Sequence, residues 1–125
     1  MPIQTESYDP LLPHQAPMSV LVAEDPIVSS FLRTILERKG YRVTIGEPQQ
    51  SCESLLRRGA RPPLVITNRP EEFLAFAGTL PVLYIAAAPD HALAGRFFNC
   101  RVLRKPFRNA DLLEALEDLA HHVVA

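Results

Sequence analysis

Five short apolar runs, separated by segments of helical period or by turns, constrain this chain more than any other feature. They are SVLVA (19–23), YRVTI (41–45), LVIT (64–67), PVLYIAAA (81–88) and CRVLR (100–104). The first is rich in β-branched residues and almost wholly apolar, the pattern of a strand buried on both faces. The segments between them supply the cover. Pro26 suits a first helical turn, Ile27, Val28, Phe31, Leu32, Ile35 and Leu36 form a stripe, and Gly40 stops that helix after Arg38 and Lys39. Pro48 opens a second helix with Cys52, Leu55 and Leu56 on one face, ending at Gly59. A last helix takes Asn109 as its N-cap and turns Leu112, Leu113, Leu116, Leu119, Ala120 and Val123 inward. This alternation predicts an α/β fold whose mostly parallel sheet is covered on both sides.

The third crossover breaks the pattern. Between Asn68 and Pro81 lie 12 residues, whereas a mean helix of ~11 residues with two loops of ~4 needs about nineteen. EEFLAFAG supplies at most two turns, so a stub or irregular loop is expected there, with one flank of the sheet thinly covered.

With 125 residues the chain makes one domain. Its 12 prolines punctuate that domain rather than dissolve it. Four fall in residues 1–17, which have no period of either kind and read as a tail, leaving 18–125 as the folded unit. Thirteen basic against 14 acidic residues give a net charge of -1, which excludes a global pull toward nucleic acid or an acidic membrane. Two cysteines, Cys52 and Cys100, form no disulfide framework and no metal-type pair, and read as small buried thiols in a reducing compartment. The four histidines, His14, His91, His121 and His122, lack a helix-face metal spacing. Neither a leader pattern nor an apolar run of about 18 residues is present, so a cytoplasmic location is expected.

In an open parallel sheet, ligands bind beyond the carboxyl ends of the strands, near the point where strand order reverses. Those ends carry Glu24 and Asp25 after the first strand, Asn68 after the third, Ala86 and Ala87 at the fourth, and Lys105-Pro106-Phe107 after the fifth. Only Lys39 and Lys105 among the 13 basic residues are lysines, so a compact ammonium stands at that strand end in a chain that otherwise uses arginine.

In this order the motifs VLVAED, PPLVITN, LPVLYIAA and LRKPF resemble the receiver domain of bacterial two-component response regulators, over residues 19–122. The resemblance implies a flavodoxin-like three-layer α/β/α sandwich with a five-stranded parallel sheet in the order 2-1-3-4-5. It also implies a magnesium site on an acidic pair and a phosphoacceptor aspartate that takes a phosphoryl group from a histidine kinase. A lysine, a strand-four hydroxyl and a strand-five aromatic complete the set, and the lysine-proline bond is cis at what is here Pro106.

This sequence keeps two of those roles, the acidic pair as Glu24 and Asp25 and the lysine as Lys105. The acceptor position is Asn68, whose carboxamide has its oxygen lone pairs delocalised and is a poor nucleophile beside a carboxylate. The hydroxyl position is Ala86. The switch position is Val102, a stiff side chain with no ring to swing. Magnesium binding at Glu24 and Asp25 is weakened, since Asn68 offers only a neutral carbonyl to a hard cation. An internal ion-pair cluster is expected in its place, Lys105 neutralising one acid and Arg69 reaching the other. The alternative, with Arg69 in solvent and both acids hydrated, stays open.

Arg96, Arg101, Arg104, Lys105 and Arg108 precede Asp111, Glu114, Glu117 and Asp118, a bipolar strip over 96–118 that is a candidate for self-pairing. The expectation is a degenerate receiver without catalytic residues or cofactor, a module binding protein partners in a signalling pathway such as a histidine kinase or a separate effector. The alternatives are a phosphorelay receiver with an unusual acceptor and a small-molecule binder on the same fold. Against the latter, Glu24-Asp25-Pro26 puts negative charge where a nucleotide phosphate would need backbone donors.

Overall fold

Strand β1 (Ser19–Ala23) buries four consecutive residues, so both of its pleat faces need cover and it can only lie inside a sheet. The computed structural model, which describes residues 19–58 and 64–124, places it there. The sheet comprises β1, β2 (Arg42–Ile45), β3 (Leu64–Thr67), β4 (Val82–Ala86) and β5 (Cys100–Arg104). All neighbours pair in parallel, in the order β2-β1-β3-β4-β5. The predicted 2-1-3-4-5 arrangement is therefore the observed one. The expected tail over 1–17, with His14, and the helix end at Gly59 lie outside the described residues, as do the side chains of Leu55, His121, His122 and Val123.

The two-residue period of the strands sorts their side chains onto opposite faces. Val20, Val22, Leu64, Ile66, Leu83 and Ile85 face α1 (Pro26–Arg38) and α4 (Asn109–Val124), which contribute Leu32, Leu36, Leu112, Leu116 and Leu119. Leu21, Ala23, Val65, Val82 and Tyr84 face the other side. There the cover is α2 (Pro48–Arg58), a 3₁₀ segment η1 (Pro70–Phe76) and a single turn α3 (His91–Ala94).

The shortened third crossover is η1, whose fully buried Phe73 and the nearby Leu80 fill the space a longer helix would occupy. The fourth crossover is equally reduced, since α3 is four residues long, a second stub that the sequence pattern did not reveal. Two stripes also need correction. Ile27 and Phe31 are 85% and 51% exposed, so the inner face of α1 is built on Leu32 and Leu36, with Val28 and Ile35 packed at its side. Leu56 of α2 is likewise exposed. Asn109 is the first helical residue of α4 rather than its cap, and the N–H of Arg108 donates to Asp111 Oδ2 at 3.3 Å. Gly40 ends α1 with φ +92°, where a side chain would be strained. Cys52 is buried, whereas Cys100 is half-buried, and both thiols are free.

Candidate functional site

The strand order reverses between β1 and β3, and the ends of β1, β3, β4 and β5 bring the predicted residues to one edge of the sheet. Local hydrogen bonds fix each end. Beyond β1, Ser29 Oγ on α1 donates to the carbonyl of Glu24 at 3.0 Å, and the N–H of Ser29 donates to the carbonyl of Asp25 at 2.8 Å. Beyond β3, the N–H of Arg69 donates to the buried hydroxyl of Thr67 at 2.9 Å, a tight turn that leaves Asn68 half-buried at its tip. At β5, the N–H of Lys105 donates to the carbonyl of Ala86 at 2.9 Å, so the lysine backbone is anchored to the end of β4. The Lys105–Pro106 peptide is cis, as the motif implied.

The acidic pair divides. The side chain of Glu24 is fully enclosed, and that of Asp25 faces solvent at the start of α1. Glu24 Oε1 accepts the N–H of Asp25 at 3.0 Å. Oε2 has no aligned hydrogen-bond donor, but Lys105 Nζ stands 3.2 Å from it, an approach governed by charge rather than by donor alignment. Lys105 thus reaches from β5 across the ends of β4 and β3 to β1.

Arg69 does not join this cluster, contrary to the expectation for it. Its Nη2 lies 2.7 Å from Glu72 Oε2 and its Nε 3.6 Å from Glu71 Oε2. Acids two and three residues away on the first turn of η1 are nearer partners than a carboxylate on another strand end. Among the described residues, no group of three or more His, Cys, Asp or Glu side chains is placed to hold a metal.

The fit to magnesium is poor on the geometry of the donors themselves. Magnesium wants near-octahedral oxygen ligands and keeps several waters. Glu24 presents no solvent-reachable side chain, its Oε2 faces an ammonium, and Asn68 adds no charge.

Ala86 is the last residue of β4 and Val102 the middle residue of β5, both half-buried. Sequence reasoning missed Tyr84, which pairs in register with Val102 and brings a buried ring to the same sheet face. Its signal was available, since a tyrosine in a buried aliphatic strand must place its hydroxyl against a polar group. The strip over 96–118 is less bipolar than the sequence suggests, because Arg101 pairs with Asp118 and Arg108 with Asp111 within the chain. No described helix is long and apolar enough to cross a membrane.

No family model matches the sequence, and no curated protein matches it significantly. Solved structures do match the fold. A response regulator receiver protein from Sinorhizobium medicae superposes with a TM-score of 0.69 at 20% identity, over 88% of this chain and 98% of that one. One from Burkholderia phymatum gives 0.67 at 24% identity, over 84% and 95%. The receiver domain of a sensor histidine kinase from Pseudomonas aeruginosa, solved with magnesium coordinated in its active-site cleft, gives 0.67 at 22% identity, over 85% and 99%. The chain carries the fold of response-regulator receiver domains.

Proposed function

We propose that this chain is a signalling module of the receiver type that acts by binding protein partners without passing through an aspartyl phosphate. The observation that carries the reading is Asn68, a carboxamide at the strand end where receivers place their nucleophile, at an edge of the sheet where Lys105 is paired with Glu24 at 3.2 Å. A carboxylate oxygen can attack phosphorus and form an acyl phosphate, whereas the carboxamide oxygen is a poor nucleophile. Ala86 has no hydroxyl to follow a phosphoryl group, and Val102 has no ring to change rotamer. Nucleophile, sensor and lever are absent together, and the thin η1 and α3 connections leave less structure around the site than full helices would.

On this reading the chain is not an enzyme and needs no cofactor, and it works in the cytoplasm beside a histidine kinase or a separate effector. The surface over 96–118 is the one it offers to a partner or to a second copy. Its apolar contact there is Phe98, 58% exposed, since two of its arginines are already paired with acids of α4.

The test is a pull-down with wild-type protein beside Asn68→Asp, each with and without a small phosphodonor and magnesium. The reading predicts the same partner set for the wild type in both conditions, and no phosphoryl adduct on it by mass spectrometry. Recruitment of a partner only after donor treatment of the wild type would overturn it.

A further inference from the structure

Glu24 is an enclosed carboxylate whose two oxygens both meet groups of the chain itself, the N–H of Asp25 at 3.0 Å and the ammonium of Lys105 at 3.2 Å. An ionised carboxylate withdrawn from water needs a compensating charge, and removing one member of such a pair strands the other. Lys105 is 28% exposed, so its ammonium keeps part of its hydration while neutralising a fully buried partner. That arrangement lowers the desolvation cost on the lysine side. Two other cations stand at this edge of the sheet: Arg69 is taken up by Glu71 and Glu72, and Arg104 Nε donates to the carbonyl of Ala87 at 3.2 Å.

A hydrated magnesium ion approaching this edge meets the exposed carboxylate of Asp25. To reach Glu24 it would have to displace an ammonium and enter a space from which solvent is excluded. Asn68 adds a neutral oxygen where a third carboxylate would favour a divalent ion.

We infer that Lys105 is the resident cation of this site. Its ammonium takes the place at Glu24 that a divalent cation would need, so the folded chain refuses magnesium, and the connection after β5 is tethered to the end of β1 with or without the metal. The inference deepens the phosphorylation-independent reading and rests on it. It makes a partner surface that includes β5 and its following loop constitutive.

The test uses the full chain, stripped of metal by a chelator, with thermal melts across a magnesium chloride titration into the millimolar range. The wild-type melting temperature should not move, and the amide signals of Glu24 and Asp25 in an NMR titration should stay in place. Lys105→Met should melt roughly 5–15 °C lower, because it leaves a buried charge unpaired, and magnesium should recover part of that loss. Glu24→Gln/Lys105→Met should regain most of the loss and ignore magnesium. If Lys105→Met does not fold, normal folding of the double variant gives the same answer.

Saturable magnesium binding by the wild type, or a Lys105→Met variant as stable as the wild type, overturns the inference. Magnesium binding without a phosphoryl adduct sinks the resident cation and leaves the phosphorylation-independent reading standing. An adduct on the wild type sinks that reading itself.

Discussion

The hydroxyl of Tyr84 accepts the backbone N–H of Asp90 at 3.1 Å, and Asp90 Oδ1 in turn accepts the N–H of Leu93, also at 3.1 Å. The ring is buried on β4 beside the register position of Val102, and its oxygen reaches out to the cap of α3. A four-residue helix has little hydrogen bonding of its own, so the position of this crossover depends on that cap and on its link to the sheet.

Tyr84→Phe should therefore cost about 1 kcal/mol, the usual net worth of such a hydrogen bond. Its specific signature is faster hydrogen exchange at Asp90 and Leu93, with the core amides of β1 and β3 unchanged. Unaltered exchange at those two amides would remove Tyr84 from this role.

Arg69 illustrates a local partner winning over a distant one. Its pairs with Glu71 and Glu72 are half exposed, and exposed pairs contribute ~0–1 kcal/mol. Arg69→Ala should change the denaturant midpoint by no more than about 0.5 kcal/mol equivalent. The signals of Glu24 and Lys105 should not move, and a large shift at either would restore Arg69 to the strand-end cluster.

The sheet was legible because its evidence is dense. Each strand is an apolar run, and the lysine-proline and Glu24-Asp25 motifs fix which runs end at the site. The helix faces were less legible for a geometric reason. Ile27 and Leu32 are five residues apart, about 140° around a helix of 3.6 residues per turn, so six apolar residues on α1 cannot all face one way. The fourth crossover is no easier to read, since its few apolar residues divide between core and surface. In the fold, Ala94 and Phe97 serve the core while Phe98 turns outward. The partners of Arg69 and Lys105 depend on distances between strand ends, which no period encodes.

The two thiols give a pH prediction. Burial pushes Cys100 up to about 11 from its ordinary 9.0, and raises Cys52 as well, with the carboxylates of Glu72 and Glu53 adding to that rise. Both should react slowly with a thiol reagent in the native protein near neutral pH and quickly after unfolding. Because the folded-state value of Cys100 lies above its unfolded one, its contribution to stability is full below pH 9.0 and is lost as pH rises through about 11. Denaturant melts across that interval should show the decline for the wild type and a shallower one for Cys100→Ala. Parallel pH profiles for the two proteins would refute the assignment.

Phe73 tests how the thin side of the sheet is held. On the α1 and α4 face, leucines from two long helices share the load, so deletion of any one leaves neighbours able to close in part. On the other face, η1 is a short 3₁₀ segment that bends at Phe73, where φ is -113° and ψ 15°. The phenyl ring is 0% exposed and packs in one cluster with Leu80, Val65, Val82 and Phe97. The helices on this side add small buried side chains to the cluster, Cys52 from α2 and Ala94 from α3. Phe73→Ala should cost about 3–5 kcal/mol. Phe31→Ala on the exposed side of α1 should cost about 0.5 kcal/mol or less. Urea midpoints of the two variants measured side by side decide the matter, and similar losses would mean that η1 is not what seals this face.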